Sequence, residues 1–363
     1  MSATDGAVTI PDVSVTMPQE IACMMELPET ADRLFDHIRL NARYAKKMVG
    51  ATTNTHVGQT VAICGAGPSL RQYLLEPQPA TDEVWACNSA LPYLVDRGVR
   101  VTHGVGIDQG EGMLEDWART FDVTYLIATS VHPKLVKHLR RHNRRLRWFN
   151  NFLGLHDPEG WTGPDICMAC RHVKTGVHEG HDYVPMRYEM WLYQNLFSAS
   201  CMPAYGLNVV ARAIGVALYL GFDKILVYGS DCAAEKDGPP MPVEWDTDAY
   251  ADWTKQIVVY ADGRTAFDVY GPKGILIEAG GPDLGNHRWH TRADMLVTAR
   301  HLTIIVNTTG GKVQLMGETL PGVLLNWTED MWLARANGGL GVPNMDGKGA
   351  VTGFRMKTEA HDQ

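Results

Sequence analysis

Short apolar runs and longer mixed runs alternate along the middle of the chain. The short runs fall at 60–64, 83–87, 101–107, 123–128 and 145–149. Runs of this length predict buried strands. The stretches between them, 68–75, 89–97, 111–119 and 132–142, space their apolar residues as helices do. The alternation predicts an α/β fold: a Rossmann-like, mostly parallel sheet with helices on both faces. A long helix at 207–220 and a strand at 224–228 continue it, followed by a helix at 291–301 and a strand at 302–307. Two segments break the pattern, 150–200 and 233–285. The first is rich in Gly, His, Trp and Cys; the second has room for a hairpin at 257–260 and 265–270.

Upstream, Leu34, Ile38, Leu40 and Tyr44 give an imperfect apolar stripe that predicts a helix over 28–49, stopped by Gly50. Residues 1–25 are polar and are expected to be loosely ordered. The organisation expected is an N-terminal arm and helix (1–57), a Rossmann-like domain (58–330) carrying the two irregular insertions, and a Gly-rich C-terminal extension (331–363).

The first strand runs into the most informative stretch, Val61-Ala-Ile-Cys-Gly-Ala-Gly-Pro-Ser-Leu70. Gly65 and Gly67 allow a sharp turn and a close backbone approach. Pro68 suits the first turn of a helix. The turn Gly65, Ala66, Gly67, Pro68 and Ser69 is expected to hold a phosphate at the positive end of the helix, through the amides of its non-proline residues. The stretch is not a P-loop, because no Gly-Lys-Ser/Thr follows. Nor is it the dinucleotide fingerprint: Leu70 stands at the third glycine position. The next strand ends in Asn88, where an NAD-binding fold carries an acid.

Composition places the chain among ordinary globular proteins: 363 residues, 45% hydrophobic and 20% charged. The net charge of −8 argues against general coating of nucleic acid. No apolar run reaches the length of a membrane span, and the first residues lack the pattern of a signal peptide. Of seven cysteines, Cys64, Cys87 and Cys232 fall at or just after strands, where a small buried thiol is the default. A reducing, cytoplasmic setting is expected.

The motifs together resemble the MptE-like family. Gly65-Ala-Gly-Pro-Ser-Leu70, Ala86-Cys-Asn-Ser-Ala90, Gly104-Val-Gly-Ile-Asp108 and Gly221-Phe-Asp-Lys-Ile-Leu-Val-Tyr-Gly-Ser-Asp231 carry the resemblance, with Val306 to Thr319 as a closing segment. It covers roughly residues 58–325. The family includes archaeal 6-hydroxymethyl-dihydropterin diphosphokinases and bacterial motility accessory factors implicated in transferring nonulosonic acids. The Gly-x-Gly-Pro-Ser start is also similar to that of bacterial sialyltransferases, which use a CMP-sugar and a histidine base. The resemblance puts His290, in Trp289-His290-Thr291-Arg292, at the place of that base. Ala233 stands where those sialyltransferases carry a tyrosine. The diphosphokinases carry an Asp-x-Asp pair for magnesium, where this chain has Asp108 and then Glu111. That departure favours a glycosyltransferase over a diphosphokinase.

The resemblance therefore implies a transferase with a nucleotide-containing donor, most readily a CMP-nonulosonate-like nucleotide sugar. The alternatives are Mg-ATP-dependent diphosphate transfer to a pterin-like alcohol and a non-catalytic module that binds nucleotide or polyanion. Asn88, Asp108 and Gly229 fall at strand ends, where ligands of such sheets bind. Asn88 and Asp108 also suit helix caps. Asp231 is expected to orient the donor or act as base, with capping as its structural alternative. His290 has the pKa range to accept a proton, against packing on Trp289 at the surface. Arg292 suits a departing phosphate. Asp108 with Glu111 is the candidate Mg site, and Cys167, Cys170, His178 and His181 have the ligand types of a zinc site. Unlinked thiols and loop histidines compete with that reading. The run Lys134 to Arg147 concentrates basic residues on a helix and its exit, either as a solvated face or as a seat for a polyanion. The acceptor is open: glycan, protein or nucleic acid.

Overall fold

The computed structural model describes residues 28–49, 54–67, 69–75, 78–167, 183–197, 203–204, 208–232, 234–235, 275–281, 285–291, 293–317, 319–325, 341–345 and 351–356. Helix α1 (Pro28–Ala42) precedes the alternating unit: β1 (Thr60–Cys64), α2 (Leu70–Leu75), β2 (Glu83–Cys87), α3 (Ala90–Asp96), β3 (His103–Gly106), α4 (Met113–Asp116), β4 (Thr124–Ala128), α5 (Pro133–Arg141) and β5 (Arg145–Asn151). The first irregular segment contributes β6 (Asp165–Cys167), β7 (Tyr183–Pro185), α6 (Tyr188–Leu196) and β8 (Pro203–Ala204). The alternation resumes with α7 (Val209–Leu220) and β9 (Lys224–Tyr228). Then come β10 (Ala234–Glu235), β11 (Ile275–Gly281), β12 (Gly285–Thr291), α8 (Ala293–Thr308), β13 (Val313–Leu315), α9 (Leu320–Leu324), β14 (Gly341–Met345) and β15 (Val351–Met356).

The main sheet has the strand order β13-β9-β1-β2-β3-β4-β5-β8, and each pairing in it is parallel. The chain runs outward from β1 to β5, then returns to lay β9 and β13 on the other side of β1. The strand order therefore reverses between β1 and β9, and ligands of open α/β sheets bind outside the carboxyl ends at such a point. Val61, Ile63, Ile225 and Leu226 are fully buried because helices cover both faces, which is why these strands read as continuous apolar runs.

Three expectations need correction. The segment 302–307 is not a strand: α8 runs on to Thr308. The run Thr303-Ile-Ile-Val306 has β-branched character, but Met295, Ala299, Leu302 and Val306 make a stripe at helical spacing against the core. The N-terminal helix ends at Ala42, short of residue 49. The following stretch lies along β5 instead, with the Val49 amide donating to the Trp148 carbonyl and the Trp148 amide to that of Lys47. The helix at 111–119 is a single turn, α4. The segments 1–25 and 257–270 lie outside the described residues. The C-terminal extension contains the antiparallel pair β14–β15.

Helix α1 buries Leu34, Phe35 and Ile38 against Leu153, Leu155, Leu192 and Tyr193. It thus packs on the first irregular segment. Among the described residues, no helix is long and apolar enough to cross a membrane.

The amino edge of the sheet carries its own charged cluster. The Glu83 carboxylate lies 3.2 Å from His103 Nδ1 and 3.3 Å from His56 Nε2, and accepts from the Trp85 indole. Burial works to raise its pKa, but the hydrogen bond and charge of His103, then Trp85 and His56, pull it down to about 2. A depressed carboxyl pKa stabilises the fold above the ordinary value near 4.5, and that stabilisation is lost as pH falls towards 2. Glu83→Gln is expected to cost about 2–3 kcal/mol at pH 7 and little at pH 2–3, as read from urea midpoints at the two pH values.

Candidate functional site

The loops leaving β1 and β9 meet at the reversal point. The Gly65 amide donates to the Tyr228 carbonyl (2.8 Å) and the Gly67 amide to the Gly229 carbonyl (2.9 Å). Gly229, at φ +63°, donates its own amide to Ser69 Oγ (3.1 Å). No side chain fits between these backbones. A Cβ on Gly65 would strike the Gly229 carbonyl oxygen, and one on Gly67 would strike Asp231 Oδ2.

Asp231 closes the arrangement. Its carboxylate accepts from the Ser69 amide (3.2 Å to Oδ2) and from Ser69 Oγ (3.0 Å). This corrects the expectation of an open phosphate cradle. The amides of Gly65, Gly67 and Ser69 are taken by groups of the protein itself, and that of Leu70 bonds the Gly67 carbonyl. The turn does hold an acidic group, but that group is a side chain that follows β9. Pro68 lies outside the described residues.

Asp231 is 5% exposed. Burial pushes its carboxyl up to about 7, against the hydroxyl and amide of Ser69, which pull it down. A carboxyl that changes charge near neutrality, at the ligand end of the sheet, is suited to take or give a proton there. Its bonds to Ser69 also tie the β9 exit to the β1 turn, which is a structural role in its own right.

Asn88 also escapes the capping role. Ser89 occupies the N-cap position of α3, and Asn88 holds a left-handed backbone at φ +46°. Its carbonyl accepts from the Trp117 indole (3.0 Å) and its Oδ1 is buried with no partner. Ser230, between Gly229 and Asp231, likewise has a buried Oγ with no partner. Native structures leave few such groups, and a ligand is one standing explanation. Ser230 was not singled out from sequence. The only signal was its place in the Gly229-Ser-Asp231 exit from a buried strand.

Asp108 Oδ1 accepts from the Gly110 amide (2.8 Å), a local turn and not a cap of α4, whose N-cap is Gly112. Glu111 turns towards α5, pairing with Lys134 (2.7 Å) and lying 3.7 Å from His132. Lys134 holds its carboxyl below the usual range. The carboxyl that Asp108 does influence is Asp116, which is raised first by burial and then by the charges of Asp108 and Glu115. Among the described residues, no group of three or more His, Cys, Asp or Glu is placed to hold a metal. Cys170, His178 and His181 lie outside those residues, as does the Cys167 side chain.

His290 sits in β12, ahead of α8, with its backbone in register with Ala234 of β10 and Leu276 of β11. Ala234 is three residues past Asp231, so this small sheet brings the strand of His290 to the exit from Asp231. The His290 side chain and Arg292 lie outside the described residues.

The basic run divides over α5 and the start of β5. Lys134 pairs with Glu111, Arg144 donates to Thr120 Oγ1 (3.0 Å), Arg145 lies 3.4 Å from Asp122, and Arg140 covers the Tyr44 ring.

No family model matches the chain, and no curated protein matches it. Among solved structures it is similar to the MAf glycosyltransferase from Magnetospirillum magneticum AMB-1, with a TM-score of 0.44 and 12% identity. The alignment covers 84% of this chain and 42% of that one, so this chain spans less than half the length of that protein.

Proposed function

We propose that the protein is a transferase whose donor is a nucleotide-linked group, a nucleotide sugar before all others, bound across the carboxyl ends of β9, β1, β2 and β3. The observation that carries this reading is Asp231. It is a buried carboxyl with a pKa near neutrality, seated on the β1 turn where the strand order reverses. The unpartnered Oδ1 of Asn88 and Oγ of Ser230 supply hydrogen-bonding capacity on either side of it. Asn88 and Asp108 are assigned to the base and ribose. A donor phosphate reaches the Ser69 amide only when Asp231 leaves it, so donor binding and release of the carboxylate are one event. Asp231, with His290, then takes the proton of an acceptor hydroxyl. The acceptor oxygen bonds to the anomeric carbon, the carbon–oxygen bond to phosphate breaks, and the nucleotide leaves with the electron pair. Arg292 is assigned to the leaving phosphate. Support for the sugar comes from the motif resemblance, and support for the acid–base chemistry from the geometry.

A thermal-shift screen with CMP, UDP, GDP, ATP and their sugar conjugates, with and without Mg²⁺, tests the donor class. Binding to the native state alone at a hundredfold excess over Kd stabilises by about 2.7 kcal/mol, a shift of several degrees. A shift with a sugar nucleotide is expected. A shift with Mg-ATP alone would favour diphosphate transfer, and none with any nucleotide would end the transferase reading.

A further inference from the structure

The carboxyl ends of β4 and β5 hold a second set of polar side chains, apart from the reversal point. Thr129 and Ser130 follow β4, Asn150 and Asn151 end β5, and Asn41 reaches in from α1. Ser130, Asn150 and Asn151 are 0% exposed. Part of the capacity of this set builds the corner. Asn41 Nδ2 donates to the carbonyls of Thr129 (3.0 Å) and Val131 (2.8 Å), and Thr129 Oγ1 donates to Asn150 Oδ1 (3.0 Å). The rest is unspent. Asn41 Oδ1, Ser130 Oγ, Asn150 Nδ2 and both polar atoms of the Asn151 side chain are shut from solvent without a partner.

The wall behind them is rigid. Glu189 accepts from the successive amides of Leu153 (2.7 Å), Gly154 (2.9 Å) and Leu155 (3.1 Å), and the Tyr193 hydroxyl donates to the Asn151 carbonyl (2.7 Å). The buried Arg212 guanidinium donates to the Phe152 carbonyl (3.2 Å). The backbone beneath these side chains is held firmly, while α1 covers them from the other side.

The chemistry of the unspent atoms selects the ligand. Between them these side chains offer amide N–H donors, carboxamide oxygen acceptors and a hydroxyl, with no formal charge of their own. Two carboxamide oxygens disfavour a phosphate, while a neutral group with alternating hydroxyl and amide functions satisfies the set. Position agrees. Strands in a sheet lie about 4.8 Å apart, so the end of β4 is about 10 Å from that of β2, and the end of β5 about 14 Å. A donor with its base or ribose at Asn88 thus carries its far end to this corner.

We propose that Ser130 and Asn151, with Asn41, form the subsite for the hydroxyl- and amide-bearing glycosyl group of the donor. This rests on the nucleotide-sugar reading above. The atoms are closed off in the ligand-free protein, so entry displaces part of the wall, of which α1 forms one side.

The test is isothermal titration of the wild-type protein, Asn151→Leu and Ser130→Ala with CMP, CMP-N-acetylneuraminate, UDP and UDP-N-acetylglucosamine, alongside ligand-free thermal midpoints. In Asn151→Leu the sugar nucleotide that binds is expected to lose about tenfold in affinity or more, while the bare nucleotide is unchanged. The ligand-free midpoint should hold or rise, because leucine is similar in volume and removes unpartnered polar atoms. Ser130→Ala should show the same pattern more weakly, and is the variant that decides if the leucine misfolds. Unchanged sugar-nucleotide affinity in the folded variants would overturn the subsite. So would a ligand-free midpoint that falls several degrees in both, since that marks groups already satisfied within the protein. If no nucleotide binds the wild type, the donor reading itself fails and takes the subsite with it.

Discussion

Asp231→Asn is expected to raise the thermal midpoint at pH 8, to leave it nearly unchanged below about pH 4, and to abolish turnover. The native carboxyl titrates at about 7, against an ordinary value of 3.8. The folded state therefore keeps a proton that the unfolded chain releases. The cost of burying the charge is absent below the lower value, grows as pH rises between the two, and is complete above the upper one. At full size the difference is up to about 4 kcal/mol. Asparagine removes the charge and retains the contacts. Its carbonyl oxygen accepts from the Ser69 amide, and its amide donates to Ser69 Oγ, which already accepts from Gly229 and has a second lone pair. A gain of about 1–3 kcal/mol at pH 8 follows, seen as a midpoint several degrees higher. Turnover, read as release of nucleotide from the bound sugar nucleotide, should drop at least about a hundredfold with loss of the base. Thermal unfolding at pH 4 and pH 8 checks the first part. A destabilised variant at pH 8 would show that the carboxylate is ionised and well paired, and with that the acid–base assignment would fail.

The outline of the sheet was legible because β1, β2, β4 and β9 are buried on both faces and therefore appear as unbroken apolar runs. Legibility failed where side-chain type and spacing disagreed. Residues 303–306 are β-branched in a row, yet tertiary burial along one helical stripe outweighed local preference. The residues that meet near the reversal point were marked in the sequence, and their bonding was not. Gly65, Ser69, Asn88, Gly229 and Asp231 were all marked by their positions at strand ends. That Asp231 occupies the Ser69 amide depends on the parallel register of β1 with β9, in which Cys64 faces Tyr228 across more than 160 positions of sequence. No local pattern encodes that. The unspent atoms of Ser130, Asn150 and Asn151 were invisible for a related reason: an asparagine pair at the end of an apolar run looks like a loop start, and burial alone makes it unusual.

Gly229→Ala should be among the most damaging single-methyl changes in this chain, and its damage should be local to the reversal point. The backbone there is left-handed at φ +63°, which costs an L-residue about 1–2 kcal/mol. The added Cβ would also run into the carbonyl oxygen of Gly65 and come within 3.0 Å of Leu70 Cβ. Those neighbours cannot yield cheaply, because the Gly65 amide is bonded to Tyr228 and Leu70 is buried in the core. Overpacking adds about 1–3 kcal/mol, so a total of roughly 2–5 kcal/mol is expected. Gly98→Ala is the control. It has a similar backbone, at φ +77°, with nothing within 4 Å of the added atom, and should cost only about 1–2 kcal/mol. Urea unfolding of the two variants separates the strain of the left-handed backbone from the collision of the two loops. If Gly229→Ala lost no more than Gly98→Ala, the loops after β1 and β9 would not be laced together at Gly65 and Ser69. If the larger loss is found, the relief of the collision moves Ser69, Ser230 and Asp231 apart, and the affinity for any sugar nucleotide that the wild type binds is expected to fall with it.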